Sequence, residues 1–207
     1  GTLGRNEPAR GDDEPARGDD EPARDGVRTA SFRYDPADPT PSVGGAILSL
    51  SAGVRDNRAI EQRPDVLVFS SEPLADPVEV VGPVTAELHV TRDNPNADLF
   101  VRLCDVDPPG DARSRSRNVC DGIVRLTEAD PLTGIVQVSL IGAAHRFGRG
   151  HRLRLQVAGG AHPRFARNPG NGQVDAAAKD FVVTHYRIQS PSALVISQAS
   201  GKEAAHA

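Results

Sequence analysis

Gly150-His-Arg-Leu-Arg-Leu-Gln-Val-Ala-Gly-Gly-Ala-His-Pro-Arg-Phe-Ala-Arg-Asn-Pro-Gly-Asn-Gly172 joins a clean strand pattern to an arginine-bearing loop, and the rest of the chain reads as partner strands for it. Within His151 to Val157, Leu153, Leu155 and Val157 alternate with Arg152, Arg154 and Gln156, the period of two of a strand with one apolar face. Its polar face is therefore either wet or docked. Pro163, Pro169, Gly170 and Gly172 then exclude regular structure, so Arg164, Phe165, Arg167 and Asn168 are expected in a loop at the rim of a sheet. Loops held on rigid sheets often carry function, and these four residues are the candidate interface of the chain. The alternative is a turn closed on itself, its arginines merely solvating the rim.

Working outward, similar patterns recur. Val84, Ala86, Leu88 and Val90 alternate with Thr85, Glu87, His89 and Thr91. Val136, Val138 and Leu140 alternate with Gln137 and Ser139. Further strands are predicted at 65–71, 78–81, 98–106, 118–126, 180–188 and 193–197, with breaks at Gly82-Pro83 and Ser190-Pro191. Residues 143–147 are expected to form one helical turn. Short strands with frequent turns and almost no helix predict an all-β fold, a jelly-roll β-sandwich.

The start of the chain differs in kind. Glu-Pro-Ala-Arg-Gly-Asp-Asp occurs at 7–13 and 14–20 and begins again at Glu21. Proline in every repeat, and no apolar residue larger than alanine, exclude a coiled coil and predict a disordered linker over 1–27. A folded domain is expected over 28–198 and a flexible tail over 199–207. The Arg10-Gly11-Asp12 and Arg17-Gly18-Asp19 tripeptides are ordinary products of the repeat.

The net charge of -4 mixes both signs, and Lys179 and Lys202 are the only lysines. Neither nucleic acid nor a membrane is indicated as a partner. No leader pattern is visible, and a cytoplasmic location is the expectation. Cys104 and Cys120 match no zinc spacing and read as half-buried thiols on neighbouring strands, able to face each other across a hairpin. Histidines 89, 145, 151, 162, 185 and 206 are scattered without a metal-binding pair. Asp105 with Asp107, or Asp93 with Asp98, could in principle border calcium, but turn carboxylates commonly serve their own backbone. No Gly-x-Ser-x-Gly elbow is present to expose a nucleophilic serine. No catalytic residue, cofactor or metal is expected.

A resemblance adds what pattern alone does not supply. Tyr34-Asp-Pro-Ala-Asp-Pro-Thr-Pro-Ser-Val-Gly-Gly45, Ile60-Glu-Gln-Arg-Pro-Asp-Val-Leu-Val-Phe-Ser-Ser71, Asp98-Leu-Phe-Val-Arg-Leu-Cys-Asp-Val106, Asn118-Val-Cys-Asp-Gly-Ile-Val-Arg125 and Pro163-Arg-Phe-Ala-Arg-Asn-Pro169 occur in this order. Together they resemble the C-terminal domain of X-Pro dipeptidyl-peptidases, shared with cocaine esterase, α-amino-acid ester hydrolases and the CocE/NonD serine hydrolases. The resemblance implies a non-catalytic, galactose-binding-like jelly roll packed on an α/β-hydrolase domain that holds the Ser/Asp/His triad and acts on esters or X-Pro peptides. It also implies that this chain lacks that catalytic domain and the first jelly-roll strand, as a truncated or split reading frame would. A homo-oligomer is one expected use of the surface so vacated. A free-standing sugar- or small-ligand-binding module is the alternative, with only Tyr34 and Tyr186, and no Trp, to offer a larger aromatic platform.

Overall fold

The computed structural model describes residues 21–24, 27–110, 114–173 and 178–198. Among the described residues nine strands follow one another: β1 (Glu21–Arg24), β2 (Val27–Tyr34), β3 (Val66–Ser70), β4 (Val78–Arg92), β5 (Ala97–Val106), β6 (Ser116–Leu126), β7 (Thr133–Phe147), β8 (Arg152–Ala158) and β9 (Thr184–Gln198). A 3-10 turn at Ile60–Gln62 precedes β3. The strands form two antiparallel sheets, β1-β2-β9-β4-β7 and β3-β8-β5-β6, stacked as a jelly-roll sandwich.

Hydrogen-bonded neighbours run through both sheets. The edge position beside β2 is taken by β1, which pairs Glu21 with Thr29 and Arg24 with Val27. Glu21–Arg24 was expected within the linker; the remainder of the repeat, 1–20, and the tail, 199–207, lie outside the described residues.

The main core fills the space between the sheets. Phe32, Val84, Ala86, Leu88, Val90, Val138, Leu140, Phe147, Tyr186 and Ile188 project from the five-stranded sheet onto Leu67, Leu99, Val101, Leu103, Leu153, Leu155 and Val157. These are the apolar halves of the alternating patterns; burying each such side chain stabilises the fold by about 1.5–3 kcal/mol. Phe32 and Tyr186 are register partners, and their rings stack at 4.5 Å. Such a cross-strand aromatic pair fixes register as well as burying area. Gly122 lets β6 pass close to β7 where the two sheets meet: a Cβ there would lie 2.2 Å from the Ser139 carbonyl oxygen.

Three expected boundaries differ. Residues 143–147 are the end of β7, because Ala143, Ala144, His145, Arg146 and Phe147 pair with Gly82, Val81, Val80, Glu79 and Val78. Gly82-Pro83 does not end a strand; a register shift between Gly82 and Val84 absorbs the proline as a bulge within β4. Likewise β9 begins at Thr184 and runs through Pro191. There the Ser192 hydroxyl accepts from the His89 N–H at 3.1 Å and donates to the Gln189 carbonyl at 2.7 Å, standing in for ladder bonds.

Candidate functional site

Each strand of the four-stranded sheet has a second face, and much of it is shut off from solvent, although Arg125 of β6 is exposed. In β5 all ten residues are buried, including Asp98, Arg102 and Asp105. Residues from 35–65 and 159–170 lie over this face and form a third layer. Ile60, Val66, Phe100, Ala158 and Ala161 make a small apolar cluster within it, with Val43 and Phe165 packed alongside. Around that cluster the charges are paired, as buried charges must be.

Arg102 donates to Asp121 Oδ2 at 3.0 Å, to Asn57 Oδ1 at 2.8 Å and to the Val43 carbonyl at 2.5 Å. Arg164 forms an ion pair with the other oxygen of Asp121. Two guanidiniums thus share one carboxylate, and the surplus positive charge faces aromatic rings: Arg102 lies 5.3 Å from the Phe100 centroid and Arg164 5.0 Å from that of Phe165. Beside this triad, Glu61 accepts from Arg154 at 2.8 Å and from Gln156 at 2.7 Å. Arg125 grips Asp98 bidentately at 2.8 and 2.9 Å. The polar side of β8 is docked.

The four candidate interface residues belong to this layer. Arg164 sits on Asp121, with only 8% of its side chain exposed. Phe165 packs against Phe100 at 6.1 Å. Asn168 is buried, donating to Asp98 Oδ1 at 2.8 Å and accepting from the Gly170 N–H at 2.9 Å. Arg167 stands apart, donating to the Pro36 carbonyl at 3.2 Å and lying 4.3 Å over the Phe181 ring. Their polar atoms are thus turned largely toward the chain itself.

The outward-facing feature is one that the strand patterns missed. Leu48 and Leu50 are 106% and 102% exposed at the apex of a loop, and Val54 is 61% exposed on its flank. The loop closes through a single bridge, with Gly45 N–H to Gly53 O at 2.8 Å and Gly53 N–H to Gly45 O at 2.9 Å. Leaving each leucine in water forgoes about 1.5–3 kcal/mol of burial. The signal available in the sequence was Ala46-Ile-Leu-Ser-Leu50 between Gly44-Gly45 and Gly53, apolar yet unmatched to any strand.

The remaining candidates resolve into paired groups. Asp105 accepts from His145 at 3.0 Å and from His151 at 2.7 Å, and Asp93 faces His185 at 2.7 Å. Burial pushes the Asp105 carboxyl up, but the two histidine contacts outweigh it and hold it below its ordinary value. Asp107 pairs with Arg117 and Asp98 with Arg125, so the aspartates considered for calcium are committed to protein partners. No group of three or more His, Cys, Asp or Glu side chains among the described residues is arranged to hold a metal ion. Among the described residues, no serine or cysteine side chain is hydrogen-bonded to a histidine ring. Tyr34 and Tyr186 are both buried, so neither offers an exposed ring to a sugar.

Cys104 and Cys120 are buried rather than half-buried and do not face each other, since Cys120 pairs with Leu103 and Cys104 with Asn118. A strand alternates its side chains, so the two thiols point to opposite faces of the sheet. Burial pushes both up to about 12.

Residues 12–195 match the family described as the X-Pro dipeptidyl-peptidase C-terminal non-catalytic domain. The chain belongs to this family. The X-Pro dipeptidyl-peptidase C-terminal domain seen here is 37% identical to the cocaine esterase of Rhodococcus sp. (strain MB1 Bresler) over 158 residues, covering 70% of this chain and 27% of that protein. Among solved structures it is similar to an α-amino acid ester hydrolase, with a TM-score of 0.71 and 26% identity, covering 83% of this chain and 32% of the other. An aminopeptidase from a marine sediment Thaumarchaeota archaeon gives the same TM-score of 0.71 at 26% identity, covering 83% and 33%. The chain therefore spans about a third or less of the relatives it matches. The matching family is described as non-catalytic.

Proposed function

We propose that this chain is the accessory jelly roll of an α/β-serine hydrolase that acts on esters or X-Pro peptides, and that it contributes a wall rather than a catalytic group. The observation that carries this reading is the bare apolar apex at Leu48 and Leu50, in a domain of a non-catalytic family. Water-exposed leucines on a closed loop suit insertion into an apolar groove of a larger partner, and a catalytic hydrolase domain is the partner that the relatives' names suggest. Ester chemistry is favoured because the cocaine esterase and the α-amino acid ester hydrolase are both named for it.

The test has two arms. Purified chain is expected to show no turnover of nitrophenyl esters or X-Pro anilides. Mixed with a catalytic hydrolase domain, it is expected to bind and to alter that domain's turnover, and Leu48→Ser/Leu50→Ser is expected to weaken the binding. Stoichiometric labelling of one residue of this chain by a serine-directed fluorophosphonate would overturn the reading.

A further inference from the structure

The exposed apex is mounted on a glycine neck. At Gly44 a Cβ would fall 2.5 Å from the Gly53 carbonyl and 2.8 Å from Asn118 Oδ1; at Gly45 it would fall 2.8 Å from Arg164 Nη1 and 3.1 Å from Asp121 Oδ2. Both glycines have positive φ, at 65° and 79°. The neck of the loop therefore lies against the buried Arg102–Asp121–Arg164 triad at Gly45 and against Asn118 at Gly44, and at both positions a side chain is excluded by space and by backbone conformation.

Each limb of the neck is held from below. Arg102 takes the Val43 carbonyl on the incoming limb. Asn118 donates to the Gly53 carbonyl at 3.2 Å and accepts from the Arg55 N–H at 2.8 Å on the outgoing limb. Arg55 in turn donates to the Leu50 carbonyl at 2.8 Å, tying the apex to the same limb. Arg102, Asn118 and Asp121 belong to β5 and β6, whereas Arg164 comes from the 161–168 loop and closes the triad over Gly45. Its removal leaves the Arg102–Asp121 pair between the strands in place.

We infer that Arg164 is a positioning residue, closing a buried ionic clamp that presets the direction in which Leu48 and Leu50 meet the catalytic domain. This rests on the preceding reading that such a domain is the loop's partner. Buried ionic groups often add little stability over an apolar replacement, and their best-attested use is to fix one geometry. A wedge preset in its bound direction binds more tightly because less freedom is lost on docking.

Amide exchange and a double-mutant cycle test this on the full chain. Arg164→Met is expected to speed hydrogen exchange at Gly45 and Gly53 by about tenfold while core amides of β4 and β5 change little. The catalytic domain of the Rhodococcus cocaine esterase, expressed without its C-terminal domain, serves as the binding probe. Leu48→Ser/Leu50→Ser is expected to weaken binding at least about tenfold, Arg164→Met to weaken it less, and Arg164→Met added to the double variant to cost nothing further. Should Arg164→Met fail to fold, Phe165→Leu removes the ring under the guanidinium and is read in the same way. Unchanged exchange at Gly45 and Gly53, or additive binding losses, would overturn the clamp. If the unmodified chain fails to bind the probe, the partner reading falls, and the exchange result alone decides whether the neck is clamped.

Discussion

The two sheets of the sandwich treat their outer faces in opposite ways. On the five-stranded sheet, Thr85, Glu87, His89, Ile135, Gln137 and Ser139 are exposed or half-exposed, and nothing in the described residues lies over them. On the four-stranded sheet, Asp98, Phe100, Arg102, Cys104, Arg154 and Gln156 are buried beneath a layer of loops. The two kinds of strand share a polar and apolar alternation, yet in one the polar residues meet water and in the other they meet opposite charges. Alternation reports which residues are polar; what covers them is decided elsewhere in the chain.

The comparison can be broken most forcefully at the triad. Asp121→Ala leaves two guanidiniums buried without their shared carboxylate and is expected to destabilise by about 3–5 kcal/mol, read from the urea midpoint. A loss under about 1 kcal/mol would mean that water reaches the layer and that the two outer faces are alike.

Arg92, at the rim of the five-stranded sheet, sharpens the contrast. It is buried but faces carbonyl oxygens, those of Asn94, Pro131, Pro95, Thr127 and Asp130, at 2.6–3.4 Å. Burial lowers its affinity for a proton, yet a guanidinium stays charged, and the cation organises two turns, one at Asn94-Pro95 and one at Thr127 to Pro131. Arg92→Met is expected to cost about 1–3 kcal/mol in thermal or urea unfolding, because the carbonyls lose their donor. Arg92→Lys is expected to recover little, since one ammonium cannot span the same fork.

Acid should act between these sites. The Asp105 carboxyl is held below its ordinary value, so its contribution is present above the unfolded-state value and is lost as pH falls through the folded-state value. Asp105→Asn is therefore expected to lose less stability than the unmodified chain as pH falls from about 5 to about 2. An unchanged acid slope in parallel urea titrations would remove Asp105 from the account.

The smallest effect is expected on the open face. Ile135→Thr and Ile141→Thr should change stability by no more than roughly 0.5 kcal/mol, because both side chains already stand in water. A loss well beyond that, or a shift in light scattering on substitution, would reveal that this face is covered by a second copy or another partner.

Much of the sandwich was legible from the residues themselves. Leu88 and Val138 announce their face because each sits between polar neighbours on a strand that is wet on one side. The loop layer was not legible in the same way, because its bonds join residues far apart in the chain, Arg164 to Asp121 and Arg102 to Val43. Arg164 read as a rim residue since nothing near it in the sequence is acidic. Gly82-Pro83 and Ser190-Pro191 read as breaks because local chemistry disfavours pairing there, yet long neighbouring ladders carry β4 and β9 through. Leu48 and Leu50 escaped notice for the converse reason: an apolar residue that faces water leaves no period to detect.

The opposed thiols give the domain an internal pair of clocks. Cys104 lies beneath the loop layer, where Ser116, Glu61 and Arg154 act on it, while Cys120 lies in the core between the sheets. Neither reacts appreciably until its own side of the sheet opens. Their separate alkylation rates therefore time the lifting of the cover and the parting of the sandwich as two distinct events in one unmodified chain.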